Sequence, residues 1–120
     1  MNLQKGQFIF LTRICEKPGI NQIDLSNLLK VDKTTTTKVI QKLIDVGYIS
    51  KKRDVIDKRM WRLYSEEKGL EIYKFLIQDE NRNIGICFNN FTKEEKKLAY
   101  KLVKKMRENI ENEWKKTKKN

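Results

Sequence analysis

Histidine is missing altogether from this sequence of 120 residues, and it holds only two cysteines and one proline. Cys15 and Cys87 lie far apart, in no CxxC pair, and with no His to join them the usual zinc ligand sets cannot be assembled. No metal and no cofactor are therefore expected. The two thiols read as reduced, partly buried small hydrophobes, with an oxidant-sensing thiol as the alternative. Gly-rich phosphate loops and Ser-centred elbows are also lacking. The acids stand among lysines on solvent faces, not at isolated apolar positions that would raise a pKa. These absences argue against an enzyme. No window is apolar over the length that spans a bilayer, and residues 1–6 carry no signal core or cleavage site. A cytoplasmic protein without membrane contact is expected.

What the sequence does have is positive charge. Twenty-seven Lys and Arg against sixteen Asp and Glu leave a net +11. Such a balance favours a polyanionic partner. Lys is abundant along the whole chain, so the placement of the charge matters more than its total. One domain of this length buries a modest core.

Helical and extended patterns alternate in a definite order. Phe8, Leu11, Ile14 and Cys15 form one helical face, ended by Lys17-Pro18-Gly19. Asn21 suits an N-cap, with Ile20 and Leu25 placed as a hydrophobic staple. Leu25, Leu28 and Leu29 then share a face, and small Ser26 permits close approach of a neighbouring helix. A brief connection at Lys30-Val31 leads to Asp32, a second N-cap. The helix it starts buries Thr36, Val39, Ile40 and Leu43 and stops at Gly47. Two short helices so joined suggest a helix-turn-helix. Residues 48–50 read as a strand, residues 51–59 as a basic loop, and residues 60–64 as a second, β-prone strand: a two-stranded wing.

The remainder is helical. Leu70, Ile77, Ile84 and Phe91 recur every seven residues with Tyr73 and Phe88 between them, a stripe for packing another helix. Asn89-Asn90-Phe91 reads as a break. Thr92 and Glu95 form a capping box, and Leu98, Leu102, Met106, Ile110 and Trp114 step along a final helix whose Lys-rich tail is expected to fray. The fold class is mainly α with a small β-hairpin wing: a winged helix-turn-helix (residues 1–68) followed by two long dimerisation helices (residues 69–120).

Two surfaces carry function in this plan. The outer face of the third helix shows Thr34, Thr35, Thr37, Lys38, Gln41 and Lys42, with no acid before Asp45. An ordinary solvated helix mixes both signs, because opposite charges four residues apart support it. Hydroxyls, an amide and lysines instead suit base edges and phosphates in a major groove. A run of four threonines is also a poor choice for helix propensity alone. The second surface is the wing, where Lys51, Lys52, Arg53, Lys58, Arg59 and Arg62 outnumber Asp54 and Asp57. Arg is favoured in a narrow minor groove. Asp57 and Arg59 also suit pairing across the bend, which would orient Arg59. Val55-Ile56 at the tip is unexplained by this scheme.

These residues and their order resemble the MarR-type regulators, named for multiple antibiotic resistance. The resemblance runs from about Leu3 onward. It rests on Gln7, Phe8 and Leu11, on Pro18-Gly19-Ile20, and on Val31-Asp32-Lys33-Thr34-Thr35-Thr36-Thr37. Leu43 and Gly47 follow, then Asp57-Lys58-Arg59, similar to the D-x-R of the family wing, and Glu67-Lys68-Gly69. The resemblance implies a homodimer that sets two recognition helices in successive major grooves of a pseudo-palindromic operator. Contacts would come from Thr34, Thr35, Thr37, Lys38 and Gln41, and from Arg59 with Arg53 and Lys58 nearby, Asp57 bracing Arg59. It further implies a repressor, and in many members release from DNA by a small apolar or phenolic ligand or by cysteine oxidation. The family's usual further helix before the Gln7 segment has no counterpart in this sequence, which is read either as a truncated chain or as one whose dimerisation rests on the last two helices; Glu66 stands where the family often has a capping Thr, with Ser65 as the expected substitute.

Homodimerisation is also expected from the residues themselves. The two last helices carry more apolar surface than one small winged domain covers, while residues 93–120 hold eleven basic against five acidic residues. The competing reading is a basic winged-helix protein bound to RNA or the ribosome. RNA recognition often stacks bases on aromatics, and of the aromatics only Trp61, Tyr64 and Tyr48 are expected to be open for that.

Overall fold

The computed structural model describes residues 5–118; residues 1–4, including Leu3 and the start read as lacking a signal core, and residues 119–120 lie outside it. Its internal contacts divide the chain into two units, one ending at Asp79 and one beginning at Glu80.

The first unit is a winged helix-turn-helix. A single 3-10 turn, Lys5–Gln7, leads into α1 (Phe8–Glu16). Strand β1 (Ile20–Asn21) follows, then α2 (Gln22–Leu29) and α3 (Lys33–Asp45). Strands β2 (Ile49–Arg53) and β3 (Trp61–Ser65) precede α4, which starts at Glu67 and crosses the boundary to Cys87. The caps act as the sequence predicts. Asn21 Oδ1 accepts the Asp24 amide at 2.8 Å, and Asp32 Oδ1 accepts the Thr35 amide at 2.7 Å. Each satisfies an amide that the first helical turn leaves without a partner. Gly47, at φ +80, turns the chain after α3.

The core is built from Phe10, Leu11, Ile14, Leu25, Val39, Ile40, Leu43, Tyr48, Ile49 and Leu63. The α3 stripe is buried as expected, with Thr36 fully inside. Two faces differ from the sequence reading. Phe10 is buried because α1 packs against α2, α3 and β3 together, so its inner face is wider than one stripe. Leu28 is exposed: α2 packs through Leu25 and Ser26, both fully buried, which rotates Leu28 outward.

The sheet also departs from the expected two-stranded wing. Ile20 pairs with Leu63 and Asn21 with Arg62, so the wing is a three-stranded antiparallel sheet in the order β1-β3-β2. In the β2–β3 ladder Ile49 faces Ser65 and Arg53 faces Trp61. Lys51, Lys52 and Arg53, read as loop, are therefore strand, and the loop shrinks to residues 54–60.

At the start of α4 the Leu70 amide bonds the Glu66 carbonyl at 2.9 Å, so Glu66 stands at the N-cap position. Ser65 closes β3 and does not cap. Gly69 is buried, and a Cβ there would lie 2.1 Å from the Tyr48 carbonyl oxygen. Only glycine permits this approach of helix to turn.

The second unit contains the end of α4, a turn, and α5 (Lys93–Lys118). Phe88 and Phe91 meet edge to face, with centroids 5.3 Å apart, and Asn90 adopts a positive φ of 66° at the expected break. The capping box forms: the Thr92 amide donates to Glu95 Oε1 at 2.8 Å and the Glu95 amide to Thr92 Oγ1 at 3.1 Å. Residues 115–118, expected to fray, are helical. None of the unit's described residues is buried; Ile84, Ile86, Leu98, Leu102, Val103, Met106 and Ile110 are all exposed.

Candidate nucleic-acid interface

The helix-turn-helix presents the outer face of α3 because its other face is spent on the core. Thr34, Thr35, Thr37, Lys38 and Gln41 are exposed and Lys42 is half-buried. Thr34, Thr37, Lys38 and Gln41 fall three or four positions apart, so they form one stripe. Several of these groups are already oriented. The Thr35 hydroxyl donates to Asp32 Oδ2 at 3.0 Å, and these Thr35 bonds hold the Asp32 carboxyl below its usual pKa. The Thr37 hydroxyl donates to the Lys33 carbonyl at 2.8 Å and accepts from Gln22 Nε2. Its donor is used, and one acceptor lone pair is left. Gln41 Nε2 donates to Asp45 Oδ1 at 2.9 Å.

Gln22, the first residue of α2, escaped the sequence reading. It touches Thr37 and also lines a shallow groove with Asn21, Ile23, Asp57, Arg59, Met60 and Trp61. Gln22 thus links the α3 stripe to the base of the wing. Its position just after an N-cap was the available signal, but only the packing of α2 on α3 reveals the contact.

The wing is set by one carboxylate. Asp54 Oδ2 accepts the Asp57 amide at 2.8 Å and the Ile56 amide at 3.2 Å. Its other oxygen accepts Arg62 Nε at 2.7 Å, and Arg62 Nη1 continues to the Gly19 carbonyl at 2.9 Å. The Arg62 bond, with the Asp57 amide next, holds the Asp54 carboxyl below its usual range. Arg62, counted by sequence among the wing's basic charges, is therefore a fastening between the wing and the turn before β1. The expected Asp57–Arg59 pair is present as well, with Arg59 Nε 3.3 Å from Asp57 Oδ1. Asp57 Oδ1 also accepts the Arg59 amide at 3.1 Å. The Arg59 side chain is 93% exposed, so this pair orients a guanidinium that still faces solvent.

The other wing cations lie on aromatic rings. Lys51 Nζ and the Arg53 guanidinium stand 5.2 Å and 4.8 Å from the Trp61 ring centre, and Lys52 Nζ stands 5.6 Å from that of Tyr64. Such contacts place a charge while leaving it hydrated. Of the rings expected to be open for stacking bases, Trp61 is exposed, Tyr64 is half-buried and Tyr48 is buried. Phe91, read as part of the helix-packing stripe, is exposed, and so is Phe75. Lys58 is exposed beside Arg59 in the loop.

The thiols differ in setting. Cys15 is half-buried and Cys87 exposed. Burial pushes the Cys15 thiol up in pKa, partly offset by its bond with the Ser65 hydroxyl, a setting that disfavours the thiolate. Among the described residues no group of His, Cys, Asp and Glu is placed to hold a metal ion, and no helix is long and apolar enough to cross a membrane.

Known proteins share this arrangement. Residues 3–60 match the MarR family. An HTH-type transcriptional regulator of Bacillus subtilis (strain 168), YybA, is 37% identical over 119 residues, covering 99% of this chain and 79% of its own. Among solved structures, a MarR protein from Peptoclostridium difficile DA00132 is 62% identical, covers 96% of this chain and 75% of that one, and superposes with a TM-score of 0.87. A MarR family transcriptional regulator from Listeria monocytogenes, complexed with 26mer DNA, is 38% identical, with coverages of 99% and 79% and a TM-score of 0.90. A winged helix-turn-helix, a polar and acid-poor α3 face, and relatives of this identity over most of their length lead to one conclusion: the chain belongs to the MarR family of transcriptional regulators, which are not enzymes.

Proposed function

We propose that this regulator binds a pseudo-palindromic duplex as a homodimer, with α3 in the major groove and the wing on the flanking backbone and minor groove. The observation that carries the reading is the α3 stripe of Thr34, Thr37, Lys38 and Gln41, open to solvent and joined through Gln22 to the wing that bears Arg59. Thr35 and Lys42 flank the stripe, and Arg53 and Lys58 add phosphate contacts. Asp57 braces Arg59. The relative crystallised with 26mer DNA supports duplex DNA as the partner.

In this reading residues 1–68 contact DNA and residues 69–120 dimerise. The exposed apolar side chains of α5 support the second part, since a partner helix would cover them. Repression, and release by a small apolar or phenolic effector, follow from the family resemblance.

The test is fluorescence anisotropy on a duplex selected by the chain from a random pool, at two salt concentrations. Affinity should fall steeply with salt. Arg59→Ala should weaken binding and lower the logarithmic salt slope by about one. Thr37→Val should alter base preference at one position with little change of slope. Binding of equal strength to every duplex, or no effect of either substitution, rejects the docking. Stronger binding to structured RNA than to the selected duplex would favour the RNA reading instead.

A further inference from the structure

The most solvent-exposed apolar groups of the winged unit sit at its most charged point. Val55 and Ile56, adjacent at the tip of the wing, are 90% and 94% exposed. Neither contributes to the core. A soluble domain gains nothing in its own folding from two bare β-branched side chains. Yet the tip is firmly built. Asp54 holds the Ile56 and Asp57 amides, Arg62 holds Asp54, and the loop closes through the Asp54 amide to the Met60 carbonyl at 2.8 Å and the Met60 amide to the Asp57 carbonyl at 3.0 Å. β-Branched side chains add stiffness of their own, so little freedom is lost when they are covered.

The surroundings select what covers them. Arg53, Lys58 and Arg59 flank the pair and are exposed. The two nearby acids are each paired with an arginine, Asp54 with Arg62 and Asp57 with Arg59. The tip is thus an apolar pair in a cationic collar. A DNA minor groove has the complementary form, with phosphates along both rims and sugar and base-step surface between them, and apolar side chains are used elsewhere to press between such steps.

Resting on the DNA-binding reading above, we propose that Val55 and Ile56 form an apolar wedge that enters the minor groove at the flanks of the bound site, while Arg53, Lys58 and Arg59 hold the rims. The wedge reads deformability. Pyrimidine–purine steps open most easily, so the wing favours a TA or CA/TG step at its flanking position, outside the bases that α3 contacts.

The test uses the full chain and its Val55→Ser/Ile56→Ser double variant, with Arg59→Ala alongside. Both tip residues are exposed, so the variant's thermal midpoint should match the wild type. Duplexes are selected from a random pool by each protein, and affinities are measured across salt. The double variant should bind about tenfold more weakly, the equivalent of half-burying two such side chains. Its salt slope should not change, because an apolar contact releases no counterions. It should also lose the flanking-step preference. Wild-type affinity and step preference in the double variant, with Arg59→Ala still weakened, overturn the wedge and leave the DNA-binding reading standing. If the wild type selects no duplex at all, both fall. A third outcome also refutes the wedge: binding to phosphatidylglycerol vesicles that the double variant loses, with DNA affinity untouched, would make an anionic membrane the tip's partner.

Discussion

The two units treat their apolar side chains in opposite ways. Up to Asp79 the chain closes a core of ten buried hydrophobic residues. From Glu80 on, none of the described residues is buried, and a ladder of Leu, Ile, Val and Met stands open along α5. Both regions have strong helical patterning. The difference is that α1, α2, α3 and the sheet cover one another, whereas two consecutive helices offer each other too little surface. Patterning alone therefore makes a helix, but stability comes from having something to bury it against. The first unit carries its own partner elements; the second leaves its apolar face open.

The sharpest way to break the contrast is in the first unit. Gly69→Ala drives a Cβ to 2.1 Å from the Tyr48 carbonyl oxygen, and backbone on both sides must shift. A loss of roughly 3 kcal/mol is expected in urea unfolding, at the upper end of overpacking costs. An unchanged midpoint would mean that the start of α4 is not fastened to the turn at Tyr48. In the second unit Leu102→Asp places a charge on the open α5 face, which should leave the fold of the winged unit intact. Self-association measured by sedimentation should weaken by about a hundredfold if a partner helix covers that face. A wild-type chain that is monomeric at all concentrations would show that the apolar face is left for something else.

Smaller effects sharpen the same comparison. Gly85 lies in α4 beyond the boundary, and a Cβ there meets nothing within 4 Å. Gly85→Ala should therefore stabilise by about 0.5–1 kcal/mol through backbone entropy, the reverse of Gly69→Ala. Destabilisation by Gly85→Ala, measured the same way, would reveal a close neighbour at that site in the assembled protein. The weakest effect concerns pH. The Arg62 bond holds the Asp54 carboxyl below its ordinary value. The stabilisation it supplies is complete above the ordinary Asp value of about 3.9 and is lost as pH falls through the lowered one. Asp54→Asn should remove that acid limb from the wing, followed by the NMR signal of the Trp61 indole, and leave the neutral-pH fold in place. An acid limb identical in wild type and Asp54→Asn would assign it to another carboxylate.

Much of this architecture was legible in the residues. Caps are local, so Asn21, Asp32 and the Thr92–Glu95 box were readable from short spacings, and each bonds as expected. Thr36, Val39, Ile40 and Leu43 lie inside because they form the apolar side of a 3.6-residue period whose other side is polar. The acid-free α3 face and the pairing of Asp57 with Arg59 were equally visible, since both depend on neighbours a few residues apart.

What needed the tertiary structure depends on who meets whom. Strand β1 has two residues, too few to show an alternation, and exists only because Leu63 and Arg62 lie beside it. Phe10 is buried and Leu28 exposed because helix faces are chosen by the neighbours on each side, which periodicity leaves open. Gln22 meets Thr37 fifteen positions away. Arg62 passes from a basic charge to a structural fastening because the strand register brings it to Asp54 and Gly19. Helices, their caps and the chemistry of the exposed α3 face are legible in the residues alone, because those are properties of close neighbours along the chain. The third strand, the anchoring of the wing and the union of α2, α3 and the wing in one surface were decided only when distant segments packed, because their partners are separated along the chain and joined in space.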